Sequence, residues 1–105
     1  MGSLWGANLY QAGLPGANFY EATLLRVNLH RALLSGANFG GADLTEANLD
    51  EAVLRGATLA RANIRWAYLT VAVLFQTNLH KAEANECTTW PDGFDPAAAG
   101  VIFED

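Results

Sequence analysis

A chain of 105 residues with 51% hydrophobic content holds one domain with a continuous core. Its formal charge of −5 is unevenly spread. Residues 1–82 carry six cations against five anions, 6 − 5 = +1, while residues 83–105 carry six anions and no Lys or Arg, −6, so a strongly charged body is excluded.

From Gly2 to Lys81 one five-residue unit recurs sixteen times. Its third position reads Leu4, Leu9, Leu14, Phe19, Leu24, Leu29, Leu34, Phe39, Leu44, Leu49, Leu54, Leu59, Ile64, Leu69, Leu74 and Leu79. Two residues earlier stands Ala, with Gly2, Val27 and Thr77 the departures. Between them lies most often Asn, as at Asn8, Asn18, Asn28, Asn38, Asn48, Asn63 and Asn78, with Asp43 a relative. Five residues advance a helix by about 500°, so the Leu row would face no single core. In a strand the same residues would alternate between faces. The chain must therefore bend once per unit and stack its units as a solenoid.

The Ala-(Asn/Asp)-Leu-X-X pattern over residues 2–81 resembles the pentapeptide-repeat family. The resemblance implies an all-β fold, a right-handed quadrilateral β-helix with four units per coil and inward-pointing Ala and Leu. The chain's own spacing agrees: Phe19 and Phe39, then Asn8, Asn28 and Asn48, then Leu33, Val53 and Val73 each recur at intervals of 20. About four coils at roughly 4.8 Å give a stub about 20 Å tall. Gly6, Gly16, Gly36, Gly41 and Gly56 share the unit's last position, where a turn can demand positive φ. Burying each central Leu contributes about 1.5–3 kcal/mol.

The first unit stands in register directly after Met1, so Leu4, Leu9, Leu14 and Phe19 line an uncovered first coil. Leu4, Trp5, Leu9 and Tyr10 are the candidate residues for a homodimer through that end. A fragment of a longer protein, or a non-native Met-Gly-Ser start, would present the same residues. Along the wall, Arg26 falls one coil from Glu46 and Arg31 one coil from Glu51, exposed pairs worth about 0–1 kcal/mol each. The Asn8–Asn28–Asn48 row and the Asn18–Asn38 pair are expected to exchange amide hydrogen bonds between coils.

One side breaks the polar rule: Gly13, Leu33, Val53 and Val73 hold the Asn position, followed two residues on by Pro15, Ser35, Arg55 and Phe75. Leu33, Val53, Val73 and Phe75 then form an outward apolar stripe. It is either a surface suited to β structure or a face for a protein partner. Trp66 and Leu25 read as isolated.

After Thr77 the pattern decays, and Ala84 stands where Leu belongs. Residues 1–82 form the repeat domain, and residues 83–105 an acidic capping segment. Pro91-Asp92-Gly93 is turn chemistry. Asp95-Pro96-Ala97-Ala98-Ala99 reads as an N-cap, a first-turn Pro and a short helix closed by Gly100. Trp90, Phe94, Val101, Ile102 and Phe103 are the candidate cover for the last coil. This Trp-Pro-X-Gly-Phe-Asp-Pro tail is similar to the one that follows the repeats in cyanobacterial family members.

Catalytic chemistry is not legible. His30 and His80 fall on different sides, and Cys87, the single cysteine, sits in the acidic tail. Asp43, Glu46, Asp50 and Glu51 lie beside arginines of adjacent coils, as a solvated wall would have them. Metal spacing, a phosphate loop and a nucleophile elbow are all lacking. No enzyme activity, cofactor, metal or nucleic-acid partner is therefore expected. The longest apolar run, Leu69 to Phe75, is too short to span a membrane, so no membrane partner is expected. The lone cysteine and the lack of a secretory pattern point to the cytoplasm. The leading expectation is a protein-interaction scaffold or regulatory module with an unidentified partner. Two alternatives stand beside it. One is the family's DNA-mimic role at a type II topoisomerase such as gyrase, which needs an acidic wall. The other is a purely structural end-to-end assembler.

Overall fold

The computed structural model describes residues 3–104; Gly2, the opening position of the first unit, lies outside them with Met1 and Asp105. The twenty-residue coil is visible in its parallel bridges. Side one stacks Ser3, Thr23, Asp43, Asn63 and Glu83, and side two stacks Asn8, Asn28, Asn48 and Tyr68. Side three stacks Gly13, Leu33, Val53 and Val73, and side four stacks Asn18, Asn38, Thr58 and Asn78. From Asn28 on, each bridge residue bonds the preceding coil through both its backbone groups. The Asn28 N–H donates to the Ala7 C=O at 2.9 Å, and the Leu9 N–H donates to the Asn28 C=O at 2.7 Å.

The residues flanking each bridge residue turn inward. From Ala22 to Leu69 every central residue and its small companion is buried, Val27 included. Phe19 and Phe39 stack inside with ring centroids 5.0 Å apart and planes 13° off parallel, as the 20-residue spacing predicts. At the first coil Leu4 is exposed, while Leu9, Leu14 and Phe19 are half-buried.

Each unit closes in a turn such as Ala7 N–H to Leu4 C=O, 2.9 Å. Its last residue takes positive φ, and not only where Gly stands: Gln11 (58°), Arg26 (56°), Glu46 (61°), Trp66 (59°) and Gln76 (58°) do the same. A left-handed non-glycine residue costs about 1–2 kcal/mol. At most corners the stack offsets this by giving that residue's N–H a carbonyl in the next coil, as Gln11 to His30 and Glu46 to Arg65, both 2.9 Å. Val71 is the exception and stays out of positive φ, as a β-branched side chain should. At that corner the Asp50 carboxylate takes the Thr70 N–H instead, at 2.6 Å.

The Asn positions have a different purpose from the one expected. Asn18, Asn28, Asn38 and Asn48 each accept, through Oδ1, the backbone N–H two residues on, at 2.8–3.0 Å. This is a local Asx turn that satisfies the corner's otherwise free N–H. Amide exchange between coils occurs at Asn28 Nδ2 to Asn8 Oδ1, 3.3 Å. Neither the Asn28–Asn48 step nor the Asn18–Asn38 pair makes it among the described residues. The backbone N–H two residues on is the nearer donor to Oδ1 and takes it at each of these positions.

The ladder runs on past residue 82. Glu83 bridges Asn63, and Thr89 bridges Tyr68 at a spacing of 21, one residue beyond the repeat. That extra residue is accommodated by a buried knot. Thr88 Oγ1 donates to the Ile64 C=O at 2.9 Å, and Asn85 Oδ1 accepts the backbone N–H of Trp66 at 3.2 Å. Strand β1 (Glu83–Ala84) then pairs in parallel with β2 (Ile102–Phe103).

Two expectations for the tail need correction. No helix forms at residues 95–100. Asp95 Oδ1 does accept the Ala98 N–H at 3.1 Å, but only one helical bond follows, Ala99 N–H to Asp95 C=O at 3.3 Å, and that N–H is shared with Pro96 at 3.1 Å before Gly100 turns back to Ala97 at 3.1 Å. Five residues ending in Gly100 at φ 90° are too few to repay helix nucleation. Nor do all five cap residues cover the core with side chains. Trp90 and Phe94 stack 5.4 Å apart against it and Val101 is buried, whereas the Ile102 and Phe103 side chains are exposed. Those two contribute backbone: the Ile102 N–H donates to the Ala82 C=O at 2.8 Å, continuing the ladder.

Candidate interaction surface

Side three carries the apolar stripe as the register predicts. Leu33, Val53 and Val73 are directly bridged, so their side chains lie in one outward row. Leu33, Val73 and Phe75 are exposed by 53%, 44% and 57%, with Val53 half-buried between them. The Arg55 guanidinium sits 5.0 Å from the centroid of the Phe75 ring, a cation–π contact that holds this ring on the wall.

The stripe has a local cost that separates it from an ordinary β surface. A bridge Asn would accept the N–H of the residue two positions on, and Leu33, Val53 and Val73 have no acceptor to offer. The N–H groups of Ser35, Arg55 and Phe75 accordingly have no hydrogen-bond partner among the described residues, while Pro15 has no N–H to satisfy. Each corner thereby forgoes about 0.5–1.5 kcal/mol of net hydrogen bonding.

At its upper end the stripe meets a groove of about 350 Å³ lined by Ala72, Leu74, Phe75 and residues 91–94. Phe75 belongs to both, so the stripe runs directly into the groove, whose lining also includes Asp92. Tyr68 and Val71, 49% and 59% exposed, extend the apolar character around the same coil. Neither stands out in the sequence pattern, although Tyr68 in an Asn position is a signal of it. Trp66, 45% exposed, lies on that coil too. A second dent of about 500 Å³ occurs on side four among Tyr20, Asn38, Thr58, Ala60 and Arg61. Gly40 lines it too, and Tyr20 packs so close over that residue that an added Cβ would meet its Cδ1 at 3.2 Å.

The candidate dimer residues are also brought together, with Leu4, Trp5 and Tyr10 exposed by 38%, 60% and 47% beside half-buried Leu9.

Charged groups on the wall pair with one another. Arg26 meets Glu46 at 3.3 Å and Arg31 meets Glu51 at 3.0 Å, as the register predicts. His30 Nε2 adds a second contact to Glu51 at 2.9 Å. Hydrogen bonds from Arg31 first, then His30, hold the Glu51 carboxyl below its ordinary range. Arg65 was not singled out by its sequence, yet it clasps the tail. Its guanidinium, 17% exposed, reaches Glu83 at 3.1 Å and the Glu104 carboxylate at 3.3 Å. Its Nε donates to the Glu104 C=O at 3.3 Å. Among the described residues no group of three His, Cys, Asp or Glu could hold a metal ion, and no helix is long and apolar enough to cross a membrane.

Four bridged sides, one bend per five residues and an axial row of Leu define a quadrilateral β-solenoid. The profile described as pentapeptide repeats matches residues 3–41 and 37–74, with eight copies, and the chain belongs to that family. Among solved structures it is similar to alr5209, a pentapeptide repeat protein from Nostoc PCC 7120. The two share 33% identity and a TM-score of 0.78 over 97% of this chain and 84% of that one. A pentapeptide repeat protein of the Arabidopsis thaliana thylakoid lumen shares 31% identity and a TM-score of 0.56, over 78% of this chain and 64% of its own. HetL of Nostoc sp. strain PCC 7120, involved in heterocyst differentiation regulation, shares 33% identity and a TM-score of 0.59, over 95% of this chain and 48% of its own. These neighbours form right-handed β-helices, the handedness that the resemblance implies. No curated protein matches the sequence.

Proposed function

We propose that the chain is a non-catalytic interaction module, acting in the cytoplasm, whose side three docks a protein partner. One observation carries this reading: a continuous outward apolar row, Leu33–Val53–Val73–Phe75, that forgoes corner hydrogen bonds and opens into a groove. Contiguous exposed apolar surface of this kind marks interaction sites. A regulatory task is consistent with the involvement of HetL in heterocyst differentiation regulation. DNA mimicry draws no support from the wall, where the carboxylates of Glu46 and Glu51 are matched by Arg26 and Arg31.

The test is a pull-down from the native host with the wild-type chain and with Leu33→Lys/Val73→Lys. Both positions are exposed, so the variant keeps its fold by circular dichroism. The reading predicts a specific protein retained by the wild type and lost by the variant. Equal retention by both would remove side three as the docking face.

A further inference from the structure

The backbone ladder ends high on sides one and two, where β2 lies above β1 and Thr89 above Tyr68. It ends lower on sides three and four, where Val73 and Asn78 are the last rungs among the described residues. The level below shows what a further rung would bond. The Val73 N–H donates to the Ala52 C=O, and the Leu54 N–H donates to the Val73 C=O, both at 2.9 Å. One coil higher the equivalent groups are the Ala72 C=O and the Leu74 N–H. Neither has a hydrogen-bond partner among the described residues. The chain departs from the stack here because Pro91–Phe94 forms a turn, closed by the Phe94 N–H on the Pro91 C=O at 3.1 Å, with Gly93 at φ 79°. The 350 Å³ groove lies between that turn and the open edge.

We propose that this groove receives an extended segment of a protein partner, which adds the rung that side three lacks. In strand addition the main chain provides affinity and alternate side chains provide specificity. The register dictates the order of those side chains. The added residue above Val73 points outward, and its neighbours point inward over Ala72 and Leu74. The segment therefore reads small, then β-branched, then large and apolar, with the large side chain entering the groove beside Phe94. Charge selects its flanks. Residues 83–105 contain no Lys or Arg, and Glu83 and Glu104 are taken by Arg65. Asp92 on the groove lining, with Glu86 and Asp95 in the same tail, is in none of the described ion pairs. Lys or Arg at the ends of the segment complements them. The proposal rests on the interaction-module reading and names the partner's chemistry.

The probe is an end-blocked peptide, Lys-Ala-Val-Leu-Lys, titrated into the isotope-labelled full chain and followed by NMR. The amides of Leu74 and Gln76 and the ring of Phe94 should shift. N-methylation of the peptide's Val removes the donor to the Ala72 C=O and should abolish those shifts. Replacing both Lys by Glu should weaken binding about threefold or more, the scale of an exposed ion pair. Asp92→Lys, at an exposed position, should reverse that preference. Equal shifts from the N-methylated peptide, or no shift at Leu74 from any peptide, would overturn the proposal. Concentration-dependent shifts of Leu74 without peptide would make a second copy the occupant and overturn it as well. A partner lost on Leu33→Lys/Val73→Lys that leaves the Leu74 amide unmoved would overturn strand addition alone and leave the interaction module standing.

Discussion

Phe39→Ala is the sharpest probe of the coil register, because its cost can be set against a twin. Phe39 is fully buried, and Phe19 stacks on it at 5.0 Å but is only half-buried at the first coil. Truncating a buried Phe costs about 3–5 kcal/mol, part of it in the cavity left behind. The ring pair adds about 0.5–1.5 kcal/mol that either substitution removes. Phe19→Ala should lose the same pair energy but a smaller transfer and cavity contribution, since solvent already reaches that end. Phe39→Ala should therefore cost about 2 kcal/mol more than Phe19→Ala, a difference of roughly 8–16 °C in melting temperature for a domain near this size. Phe39→Leu should recover most of the loss, because Leu fills this position in adjacent units. Thermal unfolding by circular dichroism, with urea titration as a second measure, reads all three variants. Equal costs for Phe19→Ala and Phe39→Ala would refute the placement of Phe39 inside and Phe19 at an open coil.

Arg65→Ala should release the tail from the wall at a cost of about 1 kcal/mol, reduced at high salt; hydrogen exchange should accelerate at the Ile102 and Glu104 amides while those of coils two and three stay protected. Gln76→Gly should stabilise the chain by up to about 1 kcal/mol, because relief of left-handed strain exceeds the added chain entropy, and Gln76→Val should destabilise it, both read as melting temperature. Glu51, its carboxyl held below the ordinary 4.5, contributes stability that is present above that pH and is lost as pH falls through its lower folded value; Glu51→Gln should flatten the acid limb of the unfolding curve there, and an unchanged limb would show that the Arg31 and His30 contacts do not persist in solution. We further propose that Leu4, Trp5, Leu9 and Tyr10 form a homodimer contact: light scattering should show a dimer for the wild type and a monomer for Leu4→Glu/Leu9→Glu, with the Phe19–Phe39 core intact.

What the sequence determined by itself was everything that repeats. A small residue and a large one, two apart and renewed every five residues, can reach a common axis only if the chain bends once per unit, and the 20-residue recurrences of Phe19/Phe39 and Leu33/Val53/Val73 follow from four bends per coil. The outward stripe was legible for the same reason. Tertiary structure alone decided matters in which a group had more than one partner within reach, or in which the repeat failed. Asn18 and Asn38 could bond each other or their own corners, and the nearer backbone N–H won. Ten non-glycine corners adopt positive φ, from Gln11 to Lys81, because the stack gives most of their N–H groups a carbonyl above, a compensation that no five-residue window contains. The tail has no period to read. Its one-residue slip at Thr89, the outward turn of Ile102 and Phe103, the turns in place of a helix after Asp95, and the grip of Arg65 on Glu104 each depend on contacts with earlier coils. Local pattern sets the solenoid because every unit meets copies of itself; the tail meets something different at each residue, so its shape is fixed only by what it lands on.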